Sequence, residues 1–153
     1  MDNDKAISCL NNLIEINRDG QNGFKEAAEN VKNTELKSFF NQTSLDRARF
    51  VGELQQVVRR LGGDPENTGS TAAALHRVWI DIKGTFTGKN DESILSECER
   101  GEDSAVNAYK DALKDENLPN DLRALVETQF SSVKRAHDQV KEWRDAKSAT
   151  TGR

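Results

Sequence analysis

Proline is nearly absent: Pro65 and Pro119 are its two occurrences in 153 residues. Both fall between periodic apolar segments, so neither breaks a long helix. Aromatic residues make up only 6% of the chain. Apolar runs are short, and none approaches the roughly 18 residues that a membrane span requires. A basic block is also missing. The net charge of −4 makes the chain a poor partner for a phosphate backbone, so neither nucleic acid nor membrane is expected as a partner. The N-terminus, MDNDKAISCL, lacks the basic start and apolar core of a secretory leader, and a cytoplasmic location is expected. Cys9 and Cys98 form no CxxC pair and are expected to be buried thiols rather than a metal or redox pair. No glycine-rich phosphate loop, nucleophile elbow or zinc-ligand set is visible.

Periodicity is what the sequence has. Hydrophobic residues make up 35% and charged residues 31%, and the apolar ones recur every three or four positions, as on solvated amphipathic helices. Helix 1 is predicted from about Asp4 to Val31, with Ile7, Leu10, Ile14, Phe24, Ala28 and Val31 on one face. Gly20 and Gly23 interrupt it, at roughly 1 kcal/mol each relative to Ala, and mark a close helix approach or a local irregularity. Asn33 and Thr34 make a turn and N-cap. Helix 2 is predicted from Thr34 to Leu61, with Leu36, Phe40, Thr43, Arg47, Phe50, Leu54, Val57 and Leu61 on its stripe. Gly62-Gly63-Asp64-Pro65 ends it. A connection follows over residues 66–90, with a short helical pattern from Ser70 to Phe86. Helix 3 is predicted over Asp91–Lys114, with Leu95, Cys98, Glu102, Ala105, Tyr109 and Ala112 inward. Helix 4, with Pro119 in its first turn, reaches about Ala146. Its stripe reads Leu122, Val126, Phe130, Val133, His137, Val140 and Trp143.

The four helices have matched lengths of roughly 36–42 Å. Short connections make helices 1–2 and 3–4 antiparallel hairpins, while the long connection between helices 2 and 3 can cross end to end. A weak repeat points the same way: NGFKEAA (22–28) resembles NAYKDAL (107–113). The expected fold is all-α, a single four-helix domain over residues 1–147 with a short helix in the crossover and a polar tail at 148–153.

LNNLIEINRDGQNGFKEAAENV, the helix-2 ending RRLGGDP, ECERGEDSAVNAYKDAL and KRAHDQVKEW together resemble the ferritin-like superfamily. More narrowly, they resemble an uncharacterised bacterial family of ferritin-like four-helix bundles known only as a domain of unknown function. Metal-binding ferritin-like proteins hold two irons with a Glu from each of helices 1 and 3 and a Glu-x-x-His pair from each of helices 2 and 4. By that resemblance the ligand positions here are Asn17, Arg47 with Phe50, Glu102, and Lys134 with His137. A register shifted by one turn would bring in Asp46, Glu99 or Glu127. Only Glu102 and His137 suit a metal. No cofactor and no stoichiometric iron, zinc or manganese is therefore expected; a metal, iron above all, would be held by Glu102 and His137.

Asn17, Arg47 and Glu102 fall on apolar stripes, with His137 or Lys134 at matching height. Two readings are open: a solvated seam where the stripes drift outward, or a buried polar layer of Asn17, Arg47, Glu102 and His137 with Arg47 as counter-charge to Glu102. His76, in the crossover, is expected at the surface or partly packed. Trp79 and Trp143 are expected to pack in the core and at the bundle end. Glu97, Glu99, Glu102 and Asp103 are expected mostly on the solvated face of helix 3. The helix flanks at Leu13, Ile16, Phe39 and Val58 are expected to be open to a protein partner, such as a second copy in a homodimer.

The function expected from these readings is a non-catalytic scaffold or interaction bundle, structural or stress-related. The first alternative is a di-iron oxidoreductase or iron-storage protein. The second is a histidine phosphotransfer module, suggested by His137-Asp138-Gln139-Val140-Lys141, although Lys141 stands four residues after the His where that motif has three.

Overall fold

The computed structural model describes residues 3–65, 79–82, 84–86, 88–116 and 118–151, without the side chains of 147–151. It is all-helical, with no strand among the described residues. Four long helices account for most of it: α1 (Asn3–Asn30), α2 (Thr34–Arg60), α3 (Asp91–Lys114) and α4 (Asn120–Thr151). A further helical turn covers residues 79–82. His76, Leu75, Val78 and the start of the expected crossover helix lie outside the described residues. The helix of α4 continues to Thr151, past the end expected at Ala146.

Local chemistry sets the helix ends. Asn33 caps α2, its side chain accepting hydrogen bonds from the Glu35 and Leu36 amides. Asn90 caps α3 through the Ser93 amide. Such caps satisfy amides that have no partner inside the helix. At the end of α2, Gly62 takes a φ of +85°. Its amide donates to Arg59 O and that of Gly63 to Val58 O, a Schellman ending that needs glycine at this position. Arg123 reaches back from α4 to the Leu113 and Asp115 carbonyls, covering the open end of α3.

Cross-helix contacts give the directions. Asn11 donates to Asp64 O while Phe24 meets Phe40, so α1 and α2 run antiparallel. Tyr109 reaches Gln129 and Glu99 meets Arg144, so α3 and α4 do likewise. Asn17 bonds Tyr109, and the Asp91 carboxylate accepts from the Lys32 and Asn33 amides, making α1 antiparallel to α3. Gln129 with Glu53, and Phe39 with Trp143, make α2 antiparallel to α4. Helices α2 and α3 therefore lie diagonally and run parallel, and the chain between them must return along the whole length of the molecule.

That return is bolted down by Trp79. The indole is 3% exposed and enters between α1 and α3 where both carry glycine. A Cβ on Gly23 would lie 2.2 Å from Trp79 Cζ3, and one on Gly101 would lie 2.3 Å from Cζ2. Ile82 and Phe86 follow into the same apolar cluster, which also holds Phe24, Phe40, Ile94, Leu95 and Cys98. A second cluster fills the other end, around Leu10, Ile14, Phe50, Leu54, Tyr109, Val126 and Val133.

This packing corrects the expected partner surface. Leu13, Ile16 and Val58 are buried within the fold, at 1%, 4% and 0% exposure. Phe39 is half-covered by Trp143. Helix α1 is enclosed by two helices and the crossover, so residues flanking its main stripe are buried as well. Among the described residues, the large hydrophobic side chains left exposed are Leu45 and Ile80.

Candidate functional site

Arg47 projects from the middle of α2 into the space between the two apolar clusters, and Glu102 projects from α3 to meet it. The guanidinium donates from Nη1 to Oε1 at 2.8 Å and from Nη2 to Oε2 at 2.5 Å. The two side chains are 1% and 0% exposed. This is a bidentate, charge-assisted pair, the geometry in which a guanidinium matches a carboxylate best. Burial alone would lower the Arg47 pKa. The charge and hydrogen bonds of Glu102 more than reverse that and hold it above its usual value.

The rest of the pocket is shaped around this cation. Phe24 offers its ring face, with the guanidinium carbon 5.5 Å from the centroid. Gly20 leaves the room: a Cβ there would stand 3.0 Å from Arg47 Nη1. One of the glycines that interrupt α1 is thus explained by a charge on another helix.

Alongside the pair runs a buried chain of neutral groups. Asn17 donates from Nδ2 to Leu13 O at 2.8 Å and to the Tyr109 hydroxyl oxygen at 2.7 Å. The Tyr109 hydroxyl donates to Gln129 Oε1 at 2.8 Å, and Gln129 Nε2 donates to Glu53 at 3.0 Å. Asn17, Tyr109 and Gln129 are each 0% exposed. Burial pushes the Tyr109 pKa upward, so it stays a neutral hydroxyl. Tyr109→Phe is expected to cost about 1–3 kcal/mol in urea denaturation, because Gln129 Oε1 is left buried without its donor. A change within about 0.5 kcal/mol, the range of an ordinary surface substitution, would show the hydroxyl to be dispensable.

Of the four residues expected in one polar layer, Asn17, Arg47 and Glu102 are brought to the interior and His137 is not. His137 stands on the outer seam between α3 and α4. Its Nε2 lies 2.6 Å from Asp103 Oδ1 and its Nδ1 lies 3.0 Å from Asp138 Oδ1. Partial burial opposes its charged form, but the hydrogen bonds to Asp138 and Asp103 prevail and raise its pKa above the usual 6.5. Lys134 also points outward, to Asp138 at 3.0 Å. The reason is a rotation of α4: Val126, Gln129, Val133 and Val140 face inward, and Phe130 and His137 lie at the stripe's edge. The layer's fourth member is Gln129 in place of His137. Its amide did not read as a stripe residue, although its spacing from Val126 and Val133 fits one. Glu99 and Glu102 are likewise buried, at 8% and 0%, rather than on the solvated face expected of helix 3.

Residues 5–115 match a family described as a domain of unknown function, DUF2383. The chain belongs to that family. The DUF2383 match spans α1, α2 and α3, and so includes Asn17, Arg47, Glu102 and Tyr109; Gln129 and His137 of α4 lie beyond it. No curated protein matches this DUF2383 chain.

The positions that the ferritin-like resemblance would give to metal ligands do not suit two irons. Arg47 fills the interior with its own positive charge, Phe50 packs in an apolar cluster, Lys134 is half-exposed and His137 faces the seam. The α2–α4 seam opens as a groove of about 290 Å³ past Phe39, Thr43, Ser132 and Ala136 to Arg47. The guanidinium at its floor is already paired. No helix among the described residues is long and apolar enough to cross a membrane.

Proposed function

We propose that this chain is a ferritin-like four-helix bundle with one long crossover that works as a non-catalytic scaffold, its central ion pair standing where metal-binding members hold their metals. The observation carrying this reading is the fully buried, bidentate Arg47–Glu102 pair. One fixed guanidinium satisfies a carboxylate that would otherwise need a proton or an external cation, and it repels any metal brought to the same place. Such a pair is weak evidence of stability, and its best-attested use is to fix register. Here it joins the two hairpins, α1–α2 and α3–α4, across the diagonal. The antiparallel neighbours, the parallel diagonal and the end-to-end return also support the ferritin-like topology.

Iron analysis tests this reading. Protein expressed in iron-supplemented medium and purified without chelator is expected to retain no stoichiometric iron. About two irons per chain, lost when Glu102 is replaced, would favour the oxidoreductase or storage reading and end this one. Phosphotransfer finds little support, because both His137 ring nitrogens face carboxylates that would repel a phosphoryl group.

A further inference from the structure

The seam between α3 and α4 carries a constellation that the scaffold reading does not use. Glu99 and Asp103 are four residues apart on α3, so they share one face of that helix. His137 comes to them from α4. One ligand-capable atom from each of the three lies within 4.8 Å of the other two. Metal–ligand bonds of roughly 2.0–2.2 Å in a tetrahedral site put the ligand atoms of one ion about 3.3–3.6 Å apart, so side-chain rotations that draw the three atoms in by about 1 Å would close the set. We propose that Glu99, Asp103 and His137 bind one divalent cation of the zinc class at this seam, outside the interior occupied by Arg47.

Two further observations favour a cation here over a plain surface cluster. Glu99 is a carboxylate only 8% exposed. Its Oε2 is buried without a well-angled hydrogen bond, though Arg144 approaches it as an ion pair. Arg144 also holds Asp145 at 2.7 Å, so it keeps a carboxylate if a metal displaces it from Glu99. The seam already recruits one positive charge to Glu99, and a metal would supply it more compactly.

The other observation is behind the histidine. Asp138 sits at Nδ1 and is itself held by Lys134 at 3.0 Å. An outer carboxylate on one ring nitrogen orients the other toward a metal and strengthens it as a ligand. Here the other nitrogen, Nε2, faces Asp103.

One imidazole with two carboxylates suits zinc, whereas calcium and magnesium favour all-oxygen sets. Three protein ligands would leave a fourth position for water. Cys9 and Cys98 play no part. Burial pushes the Cys9 thiol up to about 11 and Cys98 well above its usual value, so neither offers a ready thiolate.

The full chain, stripped with chelator and dialysed, is titrated with zinc chloride by calorimetry, with magnesium and calcium chloride in parallel. The expected result is one zinc per chain, with magnesium and calcium much weaker. His137→Gln and Asp103→Asn should each weaken zinc binding at least tenfold, and Asp138→Asn about 10–100-fold through orientation alone. Arg144→Gln should tighten it, since a competing cation leaves Glu99. Circular dichroism of each variant shows whether the helices persist; the substituted residues lie at the seam rather than in the core. The assignment is overturned if the wild-type chain takes up no zinc, or if His137→Gln and Asp103→Asn, both folded, bind zinc as the wild type does.

Discussion

Glu102→Leu alone is expected to lower stability by about 3–5 kcal/mol, the range for breaking a buried pair from one side. The guanidinium it abandons lies against Gly20 and the Phe24 ring and is 1% exposed, so its charge is left largely desolvated. Arginine cannot shed its charge at accessible pH. Arg47→Met alone should cost somewhat less, because a lone buried carboxylate can neutralise itself by taking up a proton. The double variant should cost far less than the sum of the two, since the desolvation penalty leaves with the charges. Urea denaturation of the three variants gives the coupling directly. Small and additive losses, each at most about 1 kcal/mol as for an exposed pair, would refute the account of a buried counter-charge. A double variant that is stable but loses its cooperative transition would assign the pair to specificity rather than stability.

Trp79→Ala is expected to cost about 3–5 kcal/mol, as for a large aromatic removed from a core. The reason is positional as well as apolar. The indole fills the gap between Gly23 and Gly101, meets the Phe24 ring edge-on with centroids 5.6 Å apart, and anchors the returning crossover on α1 and α3. Each glycine should be intolerant for the same reason. Gly101→Ala gains about 1 kcal/mol of helix propensity. It also drives a methyl group to within 2.3 Å of a rigid ring that α1 blocks on its other side. Overpacking of this kind costs about 1–3 kcal/mol, so the net effect should be destabilising. In a Trp79→Ala background the sign should reverse, and Gly101→Ala should stabilise by its propensity alone. Thermal or urea melts of the four proteins in this cycle decide the matter. Gly101→Ala that stabilises the wild-type chain would contradict the clamp.

The four long helices and most of their ends, though not the end of α4, were legible in the sequence because their causes are local. Asn33 caps, Gly62 turns, and Pro119 stands just before α4, each within a few residues of the amides or carbonyls it serves. The stripe of α2 was legible down to Arg47 by its spacing from Thr43 and Phe50, although that spacing left both a solvated seam and a buried layer open. Glu102 fell on the stripe of α3 in the same way, between Cys98 and Ala105, although it was also grouped with the acidic residues expected mostly on the solvated face.

Rotation at a stripe's edge was not legible. Each helical residue turns about 100°, so His137 and Gln129 both lie within reach of the inward face, and a histidine reads as the better interior candidate by chemistry. Tertiary packing turned α4 so that Gln129 enters to meet Tyr109 while His137 meets Asp103 outside. The glycines of α1 and α3 could be seen in the sequence, but their purpose belongs to other segments: Gly20 makes room for a guanidinium from α2, and Gly23 and Gly101 for an indole from the crossover. The sequence by itself determined which segments form the long helices, where most of them stop and which residues carry a charge on an apolar stripe, because those properties depend on neighbours along the chain. Only the tertiary structure decided which charge meets which, which flank is covered and what fills each gap, because those properties depend on contacts between residues tens of positions apart.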